Sequence, residues 1–134
     1  MMKKVSIKAI VVGLLALLVL DSAGELLLVF TMSGGLDGDA IIAVKQTSAF
    51  LVWRSLVTII TLAVAGYFTA ALSRGNSYVN AGIVGGIAIL LTVLAIASVD
   101  MPLWYSVIAL VSQLPFTLLG AYLFQQKQNK AAPQ

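Results

Sequence analysis

The stretch Ile10–Phe30, IVVGLLALLVLDSAGELLLVF, decides the fold. A helix needs about 20 predominantly apolar residues to cross the hydrocarbon core of a bilayer at 1.5 Å rise per residue. This segment meets that length, with Asp21 and Glu25 as its only charges. The opening MMKKVSIK followed by an apolar run also has the layout of a secretory leader, with Asp21-Ser22-Ala23-Gly24 where cleavage would fall. The apolar run resumes at once in Leu26–Phe30, so a retained transmembrane helix is expected.

Three more segments of the same kind follow, at about 48–72, 78–99 and 103–124. Between the first two lies Ser33–Asp39, SGGLDGD, whose glycines stop the helix and whose Asp37 or Asp39 can cap the next one. Ala40–Val44 reads as an interfacial turn or two leading into the second span. Arg74-Gly75-Asn76-Ser77 is a tight loop, and Asp100-Met101-Pro102 a shorter one with proline where a helix starts. The tail from Gln125 is polar and expected to fray.

Composition agrees. The chain has 134 residues, of which 60% are hydrophobic and 10% charged, against about 25% charged in soluble domains. Four spans use about 80 residues, leaving room for one structural unit, residues 1–134, and no separate soluble domain. The net charge of +3 is not a nucleic-acid signal. Lys3, Lys4 and Lys8 precede the first span and Lys127 and Lys130 follow the last, as expected of flanks facing anionic lipid. No cysteine or histidine is present, which removes disulfides, thiolate nucleophiles, Cys/His zinc sites and imidazole acid–base chemistry.

Orientation follows from charge and aromatics. With the amino terminus inside, Lys3, Lys4, Lys8, Arg74, Lys127 and Lys130 fall on the cytoplasmic flank and Lys45 outside. Trp53, Trp104 and Tyr105 then share the outer interface and Tyr78 and Tyr122 the inner one, as aromatic belts do. Short connections make consecutive helices neighbours. The expected fold is all-α: an integral membrane antiparallel four-helix bundle with both termini cytoplasmic.

Polar and small residues at helical spacing mark the faces turned away from lipid. They are Asp21, Gly24 and Glu25 in the first span, and Arg54, Thr58, Thr61 and Ala65 in the second. The third span contributes Ala81, Gly85, Ala88, Thr92 and Ala95, and the fourth Ser106, Gln113, Thr117 and Gly120. Gly82 and Gly86 form a GxxxG pair, so Gly82, Gly85 and Gly86 are the expected helix-packing glycines, within the bundle or between subunits.

Asp21, Glu25, Arg54, Thr58 and Gln113 form the candidate intramembrane polar site. A charge at the bilayer centre costs about 2.5–3.5 kcal/mol on insertion scales. Glu25 and Arg54 lie at matching depths, about 8–9 Å below the outer surface, and are expected to pair. Asp21 is a turn deeper without a cation at its level, so it is expected as a neutral acid hydrogen-bonded by Thr58 and Gln113. No catalytic set, metal site or cofactor is expected. Asp37-Gly38-Asp39 lacks the remaining ligands of a calcium loop, and neither Gly34-Gly35 nor Gly85-Gly86 precedes the Lys-Ser or Lys-Thr of a phosphate loop.

The overall pattern resembles that of small bacterial four-helix membrane proteins of uncharacterised function. The shared features are the acid in the first span, Ala65-Gly66-Tyr67, Asn80-Ala81-Gly82, a tryptophan near the start of the fourth span and Leu119-Gly120-Ala121-Tyr122. The resemblance implies a four-helix fold in a bacterial inner membrane and brings no activity with it. Three function classes follow from the residues. The first is a non-enzymatic accessory or scaffold protein that packs in the lipid bilayer against itself or other membrane subunits. The second is a small oligomeric channel or a proton- or cation-linked transporter, whose path would show as a cavity reaching Asp21 from one side. The third, a membrane enzyme, lacks any nucleophile–base pair.

Overall fold

The structure is a computed structural model that describes residues 5–35, 37–73, 77–98 and 100–131. Among these residues it is entirely helical: α1 Ile7–Ser33, α2 Gly38–Lys45, α3 Ser48–Leu72, α4 Ser77–Ser98 and α5 Leu103–Ala131. Helices α1, α3, α4 and α5 are long and apolar enough to cross a membrane, which makes this a multi-pass membrane protein. Lys3, Lys4, Arg74 and most of the second loop lie outside the described residues.

Local chemistry sets the helix ends. Ser6 caps α1, its Oγ accepting from Ala9 N–H at 3.2 Å, and the helix stops where Gly34 turns left-handed at φ 78°, a conformation glycine adopts without penalty. Thr47 caps α3 by accepting from Phe50 N–H at 3.2 Å. Asp37 occupies the N-cap position of α2, though its side chain makes no capping bond. The expected fraying after Gln125 does not occur: α5 runs on to Ala131. Gln and Lys are good helix formers, and Gln125 Nε2 donates to Ser77 Oγ at 2.9 Å while Gln126 Nε2 donates to Tyr122 Oη at 2.9 Å.

Contacts fix the relative arrangement of the helices. Along α1 and α3, Gly13 meets Thr69, Leu17 packs with Leu62 and Ala65, Gly24 meets Val57, and Val29 packs with Phe50 and Leu51. Along α4 and α5, Ala81 packs with Ala121 and Gly85 meets Leu114. Consecutive helices are not the closest neighbours, however. The most extensive packing joins α3 to α5. There Gly66 lies against the Thr117 carbonyl and Gly120 against the Ala63 carbonyl and Tyr67 N. A Cβ at either glycine would overlap the backbone of the other helix, so two bare positions let the helices touch main chain to main chain.

At the end of the bundle that carries the N-terminus of α1, a polar cluster ties the helices together. Asn80, fully buried, accepts from Ser6 N–H at 3.0 Å and donates through Nδ2 to Ser73 Oγ at 2.8 Å. Next come the Ala70–Ala81–Ala121 cluster and then Leu17, Leu62, Ala65 and Ala88 with Phe116 against them. At the opposite end α2, far too short to span a bilayer, lays Ile41 and Val44 on the cluster of Val29, Phe50 and Leu51. The small-residue stripes divide at this level. Thr61, Ala65, Ala81, Gly85, Ala88, Gln113, Thr117 and Gly120 are buried, whereas Thr92 is only half-buried and Ala95 exposed.

Candidate functional site

Between α1, α3, α4 and α5 on the α2 side is a cleft of about 1010 Å³. Asp21, Glu25, Arg54, Thr58 and Gln113 all line it, joined by Lys45 from α2 and by Asp100 and Tyr105. The helix stripes therefore do converge, and in this half of the bundle most of their residues face the cleft, Ser106 being buried outside it. Beyond the polar residues the apolar layer of Leu17, Leu62, Ala65, Ala88 and Phe116 closes the way.

Arg54 is the centre of the polar group. Its Nη1 donates to Asp21 Oδ1 at 2.7 Å and its Nη2 to Asp21 Oδ2 at 2.6 Å, the two-pronged geometry in which guanidinium and carboxylate match best. Nη1 also donates to Thr58 Oγ1 at 2.7 Å, and that hydroxyl lies 3.5 Å from Asp21 Oδ1. Gly24 makes the meeting feasible: its lack of a side chain admits Val57 of α3 and brings the two helices close at this level.

This arrangement keeps the expected Glu25–Arg54 ion pair, at 4.0 Å, but makes it the weaker one. Glu25 is not the main partner of Arg54; its Oε1 stands 4.0 Å from Arg54 Nε and 3.3 Å from Lys45 Nζ. Nor does Asp21 stand without a cation at its level, because Arg54 reaches it from above. Cα depth placed Arg54 beside Glu25, but the flexible arginine stem extends towards Thr58, a turn further along α3. Lys45, delivered by the folded-back α2, takes its place at Glu25. Side-chain exposure rises outward through the cleft, from 13% at Arg54 and 30% at Asp21 to 36% at Glu25 and 46% at Lys45. The difference between the pairs lies mainly in their cations, Arg54 being well enclosed and Lys45 half-exposed.

Gln113 is placed differently from expectation. Only 5% exposed, it lines the cleft, yet its side-chain amide hydrogen-bonds neither Asp21 nor any other described residue. Its main-chain carbonyl accepts from Thr117 Oγ1 at 2.5 Å. Two residues on, Pro115 lies inside the continuous α5 and has no N–H to give to the preceding turn. Of the three packing glycines, Gly85 faces Leu114 and Gln113 of α5, while Gly82 and Gly86 have nothing within 4 Å and face outward.

Sequence reasoning overlooked Lys45, Asp100 and Tyr105 as members of this site. Each sits at a span end, where charge and aromatics are routine, so only the folding of the short connections reveals them. Among the described residues no three acidic side chains converge closely enough to hold a metal ion. Comparison with protein-family models, with curated proteins and with solved structures finds no match for the chain.

Proposed function

We propose that this chain is a non-enzymatic, multi-pass protein of a bacterial inner membrane that binds a small solute in the cleft between its helices. In this reading the four spanning helices form an antiparallel up-and-down bundle with both termini cytoplasmic, and the cleft faces outward. The carrying observation is the one-sidedness of the cleft: it reaches the Asp21–Arg54 pair and stops there, against the Leu17–Leu62–Ala65–Ala88 layer. Its volume is at the upper end of the roughly 300–1,000 Å³ range of small-molecule sites. Apolar walls around a few placed polar groups are also what such sites offer.

A scaffold role needs no such cleft, and an open channel would need a continuous path past Phe116. A second reading is favoured by the Asp21–Arg54 pair alone: the cleft is the outward-open half of an ion-linked transporter, since charges held within a membrane often line such pathways.

The absence of native cysteine gives a clean test. Single-cysteine variants at Ala109, a half-buried cleft residue, and at Ala121, in the closed half, are labelled in vesicles of known orientation with a membrane-impermeant maleimide. Labelling of Ala109→Cys from the outer side alone, with Ala121→Cys unreactive, is the expected result. Failure of Ala109→Cys to react from either side would remove the binding reading.

A further inference from the structure

Resting on the binding reading, we infer that the ligand is an amphipathic amine: one ammonium head with a single apolar tail, entering sideways from the surrounding leaflet. Three observations point to this chemistry.

The first is the idle amide of Gln113. Gln113 is 5% exposed as a residue and its side-chain amide makes no hydrogen bond to another described residue, yet no buried side-chain nitrogen or oxygen among the described residues lacks a partner, so the amide atoms open onto the cleft. Gln113 borders the cleft, so a ligand's polar head can accept from or donate to it there.

The second is the charge inventory of the walls. Asp21, Glu25 and Asp100 face Lys45 and Arg54, three negative charges against two positive. Arg54 is fully engaged by Asp21 and Thr58, and Lys45 by Glu25. Asp100 has no ion-pair partner among the described residues, and the surplus is a single negative charge. A monovalent cation neutralises it, whereas an anion adds to it.

The third is the side of the cleft that opens to hydrocarbon. In the closed half Gly13 meets Val84 and Leu17 packs with Ala88, joining α1 to α4, and Ser6 just before α1 bonds Asn80. Beyond them Leu18 and Leu91 both line the cleft yet are 50% and 42% exposed. An apolar tail passing between α1 and α4 would stay in contact with leucine on both sides and with lipid beyond.

The test uses the full chain in phosphatidylcholine nanodiscs and reads how far a probe slows maleimide labelling of Ala109→Cys. A Thr31→Cys variant, exposed and outside the cleft, corrects for partitioning into the bilayer. Octylammonium should slow the reaction about tenfold more than octanoate or butylammonium does, the factor expected for one ionic contact. Asp100→Asn should abolish most of that selectivity, whereas Gln113→Leu should weaken protection by octylammonium and octanoate alike. Ala95→Cys is a second reporter position if Ala109→Cys does not fold. Equal protection by octanoate overturns the inference while leaving a binding cleft. Protection by phosphatidylethanolamine in the disc, with no added amine, also overturns it and assigns the cleft to a bilayer lipid. An unreactive cleft cysteine at both positions overturns the binding reading as well.

Discussion

Arg54 holds both carboxylate oxygens of Asp21, at 2.7 and 2.6 Å, and reaches Glu25 only at 4.0 Å, where Lys45 stands closer at 3.3 Å. One cation from a spanning helix and one from a short surface helix are thereby shared between two acids a turn apart on α1. The two pairs differ in shielding and so in energetic weight.

Breaking the deeper pair strands a charge in apolar surroundings. Asp21→Leu or Arg54→Leu alone should cost about 2–3 kcal/mol, less than a fully buried pair because Asp21 retains some exposure. The double variant Asp21→Leu/Arg54→Leu should recover most of the loss. Thermal unfolding in mild detergent, arranged as a double-mutant cycle, measures this; additive losses would mean that the two side chains do not interact.

The outer pair behaves otherwise. Lys45→Ala removes a half-exposed partner from Glu25, and exposed ion pairs contribute little. A stability change within about 0.5 kcal/mol is expected by the same unfolding measurement.

Glycines at matched depth should give opposite results. Gly66→Ala and Gly120→Ala each drive a methyl group into the backbone of the opposing helix, which cannot yield as a side chain would. A loss of about 3 kcal/mol or failure to assemble is expected. Gly82→Ala and Gly86→Ala meet nothing within 4 Å and should stabilise the monomer by about 0.5–1 kcal/mol through reduced chain entropy. If Gly82→Ala and Gly86→Ala instead disrupt an oligomer seen by native mass spectrometry, the outward GxxxG face is a subunit contact.

Asn80 joins the start of α1 to the end of α3. Asn80→Ala deprives Ser6 N–H of its side-chain partner and Ser73 Oγ of one of two, its bond to the Thr69 carbonyl remaining, at a cost of about 1–3 kcal/mol. Hydrogen exchange should quicken at Ser6 and over the first turn of α1, while amides near Val57 stay protected.

The spans and the polar site were unequally legible. Runs of twenty apolar residues leave little freedom in where a membrane helix lies, and the stripe Arg54–Thr58–Thr61–Ala65 correctly named the inward face of α3. Pairing within the site was less readable, because matching depths compare Cα atoms and Arg54 works at the end of a flexible stem. The role of Lys45 depends on α2 folding back, which Ile41 and Val44 bring about through contacts far apart in sequence. Small residues along α4 suggested uniform close packing; Gly85 and Ala88 fulfil it, but Thr92 and Ala95 border open space. Spacing along one helix cannot report how far its neighbour diverges.

The bare seam between Gly66 and Gly120 has a mechanical consequence. Where two helices touch main chain to main chain, sliding or tilting meets a steep repulsion, so α3 and α5 move as one beam. Helices α1 and α4 rest on that beam through Val57, Thr69 and Leu114, side chains that can change rotamer. Any closure over a bound solute therefore falls to α1 and α4, the two helices that flank the sideways opening.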